Sequence, residues 1–278
     1  MRHILSVILL LTFVSSCSSQ LDEQLAYALD LSKDNKPELE KVIDHYAYCR
    51  QKHEAACWLI ANMPGHSTMW SEGIQAFADS VMRQRLSQER GNQLWDSLLR
   101  ISSQPHKQRD IETLSAEFLI DNIDRAFKTW EESPWRDEVN FDRFKKFVLP
   151  YRSDNELLRI GWRDSLICTY ASVVNGSKTA KEAFERLRTA VNSVKRNGKY
   201  DFPYVMDAVA LRNHYSGVCL EQCVYFAAVC RAFGLPVVID NCGRWANYSN
   251  NSHTWVALIL EGGTYTIVDS DSIAKKNN

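Results

Sequence analysis

The chain has 278 residues, of which 45% are hydrophobic and 24% are charged, and its formal net charge is -1. A chain of this length and composition can bury a core as one large domain or as two smaller ones. The balanced charge gives no electrostatic reason to expect nucleic acid as a partner.

The first residues have the order of a secretory signal peptide: a charged start, an apolar run from Ile4 to Val14 and then small residues. The apolar run is too short to span a bilayer as a helix. The order Val14-Ser15-Ser16-Cys17 resembles the lipobox of bacterial lipoproteins, which implies that Cys17 is acylated and begins the mature chain. The alternative is an ordinary signal peptide cut near Ser16. We expect residues 1–17 to direct export, and the lipid to hold the protein on a bacterial membrane, at the periplasmic side or the cell surface.

The region 21–197 is predicted to be all helical, because apolar residues recur there at helical spacing between short breakers. The predicted helices cover 24–31, 37–49, 51–62, 71–100 with a break at Gly91, a segment that Asp110 caps and Pro134 ends, 142–148, 155–174 and 179–195. We expect this region to pack on the remainder of the chain, 198–278.

Residues 198–278 have a different pattern. Ser216-Gly217 predicts the start of a helix that ends at Gly234, ahead of Pro236. Three strands are predicted to follow, at 236–240, 253–260 and 264–269, and a hairpin turn at 261–263 joins the last two. The sequence therefore predicts an α+β fold in which one helix packs on an antiparallel sheet.

The cysteines single out one candidate nucleophile. There are eight, at 17, 49, 57, 168, 219, 223, 230 and 242, and their spacing matches no zinc pattern, so no metal site is predicted. Without Cys17 the number is odd, so at least one thiol stays unpaired within a single chain. Cys219 falls in the first helical turn, where the positive end of the helix dipole favours a thiolate. Cys223 and Cys230 lie further along the apolar face and are predicted to be buried thiols.

A histidine and an aspartate accompany this cysteine. His253 begins the second predicted strand and Asp269 ends the third, so antiparallel pairing is predicted to bring them together. A base beside a thiol, with a third group that orients the base, is the general arrangement of an activated nucleophile. Asn213, His214 and Trp245 are candidates for holding an oxyanion or a substrate, without a choice among them, and Trp255 is a further candidate for substrate contact.

Four short segments in this order resemble the transglutaminase-like superfamily. They are Gly217-Val218-Cys219, Arg231-Ala232-Phe233-Gly234-Leu235-Pro236, His253-Thr254-Trp255 and Val268-Asp269. The resemblance implies a papain-like cysteine fold in which Cys219 is the nucleophile, His253 the base and Asp269 the orienting acid. The helical lead-in is similar to larger secreted transglutaminase-like proteins of gut-type bacteria. Family members usually add strands after the aspartate, so a core truncated at its C-terminus is one expectation.

These features predict an exported enzyme that uses a thiol, without a cofactor, to act on amide bonds of a protein or peptide. Water as the acceptor would make it a protease or amidase, and an amine would make it a cross-linking transferase. Hydrolysis is favoured because water is abundant at an exposed surface. The alternative is a non-catalytic surface lipoprotein that keeps the fold and binds peptide or glycan.

Overall fold

The computed structural model describes residues 20–192, 202–213, 219–243, 252–261 and 265–269. The chain divides into two compact units, of which the first combines Met1–Ser67 with Arg109–Ile120 and the second combines Thr68–Gln108 with Asp121–Asn278. The predicted domain boundary between 197 and 198 lies outside the described residues. Cys219, His253 and Asp269 all belong to the second unit.

The first unit is built from helices. They are α1 (20–31), α2 (Lys36–His45) and α3 (Arg50–Ala61), with 3-10 turns at Lys33–Asn35 and Asp110–Glu112. Their apolar faces bury residues such as Leu39 and Ile60. The Asn35 side-chain amide donates to the carbonyl oxygens of Ile111 (3.1 Å) and Leu114 (3.0 Å). These bonds attach the returning segment 109–120 to the start of α2.

Further helices follow in chain order, and several begin at a side-chain cap. They are α4 (Glu72–Arg83), α5 (Gln88–Ile101), α6 (Ala116–Glu132), α7 (Phe141–Phe147), α8 (Trp162–Val174), α9 (Ala180–Asn192) and α10 (Ala208–Leu211). The predicted break at Gly91 is wrong, since the break falls earlier and Gly91 lies buried within α5. The Ser87 hydroxyl accepts the Arg90 amide N–H at 3.3 Å and fixes the helix start. Such a cap offsets the roughly 1 kcal/mol that a glycine costs inside a helix.

Two short strands correct the prediction that 21–197 is all helical. They are β1 (Ser67–Trp70) and β2 (His106–Arg109), which pair as a two-stranded sheet. Four residues are too few to show an alternating apolar pattern, so these strands carry no signal that periodicity could reveal. The helix predicted from 155 begins later, at Trp162, because Gly161 has a left-handed backbone with φ of 71°.

The C-terminal elements agree with the prediction. They are α11 (Cys219–Ala232), β3 (Val237–Cys242), β4 (His253–Ile259) and β5 (Tyr265–Asp269). The strands form an antiparallel sheet in the order β3-β4-β5. With its many helices and small antiparallel sheets, the fold is α+β, as predicted.

Helix α11 lies at the centre of this region. It packs on the strands β3 and β4 and on the helices α8, α9 and α10. The Tyr225 hydroxyl of α11 is 2.8 Å from that of Tyr170 on α8, and the ring of Phe226 lies 5.1 Å from that of Phe184 on α9. These contacts hold α11 against α8 and α9. None of the described helices has the length and apolar character needed to cross a bilayer.

Candidate active site

Cys219 is the first residue of α11 and is partly exposed. From Glu221 to Ala232 the helix is buried, so its start is the accessible part. The first N–H groups of a helix have no intrahelical acceptor and give this end a partial positive charge. Cys219 is therefore placed where a negative charge on sulfur is stabilised. The predicted cap at Ser216-Gly217 lies outside the described residues.

The Cys219 sulfur meets the beginning of strand β4. Its Sγ atom lies 3.9 Å from the hydroxyl oxygen of Thr254, a side chain that is itself buried. Thr254 directly follows His253 in the strand. The contact therefore brings the start of α11 to the beginning of β4, at the residue next to the predicted base. Because successive side chains of a strand face opposite sides, Thr254 and His253 lie on different faces of β4.

His253 is buried at the start of β4. Its Cα is paired with that of Cys242 on β3. Its ring lies 6.2 Å from the ring of Trp255, with an angle of 33° between the two planes. Residues two apart in a strand face the same side of the sheet, so the two rings share one face. Trp255, a predicted substrate contact, is thus a neighbour of the predicted base.

Asp269 ends β5, as predicted. Its Cα is paired with Trp255, so its direct partner on β4 is two residues from His253. In an antiparallel sheet this makes His253 and Asp269 diagonal neighbours. Strand pairing therefore brings the two positions close, with Asp269 offset by two residues from the position opposite His253.

Residues 170–270 match the family model of the transglutaminase-like superfamily. The match begins within α8 and includes Cys219, His253 and Asp269. No curated protein and no solved structure matched the chain. The match confirms the resemblance to this superfamily for the C-terminal region.

Of the remaining predicted site residues, the structure describes only Asn213. The Asn213 side-chain amide donates to the carbonyl oxygens of Val81 (3.2 Å) and Met82 (2.6 Å), near the end of α4. These bonds use both amide hydrogens and tie the segment before α11 to α4. Three other predicted residues, Cys17, His214 and Trp245, lie outside the described residues.

The other cysteines of α11 are enclosed. Cys223 and Cys230 have no exposed surface, and burial raises the pKa of the Cys230 thiol well above its usual range. At Cys230 the effect of burial outweighs that of the neighbouring Arg231 charge, which acts in the opposite direction, so the thiol stays protonated and unreactive. None of the seven cysteines between 49 and 242, all of them described, forms a disulfide bond.

A second cysteine–histidine pair, which sequence analysis missed, lies in the first unit. Cys57 Sγ is 3.8 Å from Nδ1 of His53, one helical turn earlier on α3. Their i, i+4 spacing was a signal that could have revealed the contact. Burial raises the pKa of the Cys57 thiol, and the negative charge of Asp22 adds to this effect. This environment favours the protonated thiol, which is opposite to what a nucleophile needs.

Two buried arginines fix the far end of α11. Arg231 donates to the carbonyl oxygens of Arg152 (2.7 Å) and Phe147 (3.2 Å), and Arg163 of α8 donates to the carbonyl of Arg231 (2.6 Å). Burial lowers the pKa of Arg231 to about 10 and that of Arg163 to about 9. Both guanidinium groups therefore stay charged at neutral pH, which strengthens their bonds to carbonyl oxygens. Arg163 was not recognised from the sequence, because arginine is usually exposed.

Within the described part of the chain, no group of three or more His, Cys, Asp and Glu side chains is arranged to hold a metal ion.

Proposed function

We propose that the chain is a thiol-dependent enzyme that acts on amide bonds, with Cys219, His253 and Asp269 as its catalytic residues. The observation that carries the proposal is the position of the Cys219 sulfur at the accessible start of α11, 3.9 Å from the Thr254 hydroxyl at the beginning of β4. The match of residues 170–270 to the transglutaminase-like superfamily supports the same chemistry.

In this proposal the reaction has two steps. Cys219 Sγ attacks the carbonyl carbon of an amide, and His253 accepts the thiol proton. The C–N bond breaks as His253 passes that proton to the leaving nitrogen, which leaves as an amine or ammonia. The acyl group remains on Cys219 as a thioester. Attack by water then releases a carboxylic acid and the thiol, whereas attack by a primary amine forms a new amide.

Asp269 has the orienting role. Its strand position is the diagonal neighbour of His253. A carboxylate that accepts the N–H of the imidazole ring would fix the ring's tautomer and stabilise the imidazolium formed in the first step.

Hydrolysis is the favoured outcome, because water is abundant at a cell surface and the sequence identifies no site for an amine. The substrate would be a protein or peptide, and the mechanism requires no cofactor.

Export and lipid anchoring through Cys17 remain part of the proposal, supported by the order of residues in the first seventeen positions. Replacement of Cys17 by serine is expected to release the protein from the membrane fraction of a bacterial host. A variant that stays in the membrane fraction would contradict the anchor.

Two variants of the same helix test the enzyme. Cys219→Ala and its matched control Cys223→Ala would be incubated with a peptide mixture and a fluorescent primary amine. Mass spectrometry would then score both cleavage and amine incorporation. Cys219→Ala is expected to lose at least about 1000-fold in rate, because loss of a catalytic nucleophile removes the covalent step. Cys223→Ala is expected to retain activity, since Cys223 is a buried packing residue.

Both variants should keep the helical circular-dichroism signal of the parent. Turnover by Cys219→Ala at the parent rate would refute the assignment. If the parent protein bound peptides without any turnover, the non-catalytic surface-binding function would replace the enzymatic one.

A further inference from the structure

The hydroxyl of Thr254 is buried against the Cys219 sulfur. Thr254 is 6% exposed, and its Oγ1 atom lies 3.9 Å from Cys219 Sγ. Within the described part of the chain, this sulfur is the only hydrogen-bond partner of the hydroxyl, and the hydroxyl is the only such partner of the sulfur. Buried hydroxyl groups are almost always paired. The contact therefore serves both side chains.

Thr254 has a fixed position in the sheet. It lies on β4, the central strand, and its Cα is paired with that of Asn241 on β3. Val256 and Leu258, which face the same side of β4 as Thr254, have no exposed surface, and α11 packs on this strand. The β-branched side chain of threonine also has restricted rotation about its first bond. The hydroxyl is therefore in place before any charge develops on the sulfur.

The two protonation states of Cys219 use this contact differently. In the thiol state, the S–H group is only a weak donor to the hydroxyl oxygen. In the thiolate state, the hydroxyl rotates and donates its O–H to a negatively charged sulfur, and a bond of this kind is roughly twice as strong as a neutral one. Loss of the thiol proton therefore strengthens the contact, and the hydroxyl favours the thiolate in the same direction as the start of α11 does.

Thr254 and His253 have separate roles. They are consecutive in β4 and lie on different faces of the strand, so the hydroxyl does not take the place of the imidazole. A neutral hydroxyl is not a base at neutral pH, and in the proposed reaction His253 accepts the thiol proton. Thr254 acts through Cys219, which makes it a positioning residue.

We propose that Thr254 positions Cys219 for reaction: its hydroxyl holds the sulfur at the beginning of β4 and donates a hydrogen bond to the thiolate. This inference rests on the proposed function, in which Cys219 is the nucleophile. Its test follows the thiol itself and needs no substrate.

Two variants of Thr254 form the test. Thr254→Val removes the hydroxyl at nearly the same side-chain volume, and Thr254→Ser is the matched control that keeps the hydroxyl. In full-length parent and variants, iodoacetamide labelling of Cys219 would be followed across pH by peptide mass spectrometry. For Thr254→Val, the midpoint of Cys219 labelling should rise by about 0.3–1 pH unit, a 2- to 10-fold loss of thiolate, which is the effect of one hydrogen bond.

The controls separate this effect from a change in the fold. Thr254→Ser should return the Cys219 midpoint to that of the parent. Cys242, which is partly exposed on the neighbouring strand β3, should keep its midpoint in both variants. Should Thr254→Val fail to fold, as judged by circular dichroism, Thr254→Ala replaces it and the same outcomes apply.

Three results overturn the proposal: an unchanged Cys219 midpoint in Thr254→Val, a midpoint that Thr254→Ser does not restore, or an equal shift at Cys242. The proposed function fails separately. A shifted midpoint together with an active Cys219→Ala would refute the enzyme and leave the role of Thr254, whereas an unchanged midpoint together with an inactive Cys219→Ala would refute the role of Thr254 alone.

Discussion

Replacing the buried Arg163 by methionine should destabilise the protein strongly. Arg163 is 1% exposed, and its guanidinium donates to five oxygens. Four are Asn122 Oδ1 (3.0 Å) and the carbonyls of Arg231 (2.6 Å), Val148 (2.8 Å) and Leu149 (3.2 Å), and the fifth, at 3.5 Å, is the partly buried carbonyl of Pro150. Methionine fills a similar volume without any donor. The substitution therefore isolates the hydrogen bonds from the packing.

The size of the loss in stability depends on which of these oxygens also accept a hydrogen bond from a second donor. The Leu149 carbonyl also accepts from Asn122 Nδ2 at 2.9 Å, and the Arg231 carbonyl also accepts from the Gly234 amide at 3.1 Å. The Val148 carbonyl and Asn122 Oδ1 lose the donor that Arg163 supplies. At about 1–3 kcal/mol for each buried acceptor left unpaired, the loss is about 2–6 kcal/mol. Removing a desolvated charge recovers part of this, so we expect the free energy of unfolding to fall by about 2–4 kcal/mol.

Urea unfolding followed by circular dichroism measures this change. The matched control is Arg188→Met, which removes an arginine that pairs with Glu185 on the partly exposed face of α9. An ion pair of this kind is worth about 1 kcal/mol or less. If Arg163→Met changed stability no more than Arg188→Met, the buried arginine would not be the anchor of α11 that the geometry indicates.

Two further substitutions test how the segments around α11 are held. Asp207 caps α10 by accepting two backbone N–H groups and also accepts from Arg159 at 2.9 Å, so Asp207→Ala should cost about 2–4 kcal/mol in urea unfolding. Asp207→Asn, which keeps an oxygen for the cap but loses the charge, should cost less, and equal losses would contradict the role of the cap. Gly234 and Gly65 both have positive φ. A Cβ added at Gly234 would lie 3.2 Å from backbone atoms of α6, whereas a Cβ added at Gly65 would meet no atom within 4 Å. Gly65→Ala should therefore lower the free energy of unfolding by about 1 kcal/mol and Gly234→Ala by about 2–4 kcal/mol. Similar losses for the two variants would show that close packing at Gly234 is unimportant.

The elements around the candidate site could be predicted from the sequence because their signals are local. A glycine and a proline end α11, and runs of β-branched residues separated by turn residues mark the strands. The α11 end at Ala232 and the β4 start at His253 agree with the prediction to within two residues. Selection of Cys219 among the cysteines also depended on local position, since the first turn of a helix can be read from the sequence.

Features that depend on packing could not be predicted in this way. The strand pair β1 and β2 is too short to show periodicity, and its stability comes from pairing between residues far apart in the chain. Burial of Arg163 depends on carbonyl groups from three separate segments, which no local pattern reveals. The strand register that pairs Asp269 with Trp255 requires the geometry of the hairpin as well as its residues.

The central claim is that Cys219 is an activated thiol and that His253 activates it. Iodoacetamide labelling across pH, with each cysteine followed by peptide mass spectrometry, tests this most directly. Cys49 and Cys168, which are exposed, would be replaced by serine to limit background labelling. At neutral pH, Cys219 should react at least about tenfold faster than Cys230, whose raised pKa keeps it protonated, and His253→Asn should slow Cys219 alone. If Cys219 reacted no faster than Cys230, or if His253→Asn left its rate and pH profile unchanged, the proposed catalytic site would be wrong.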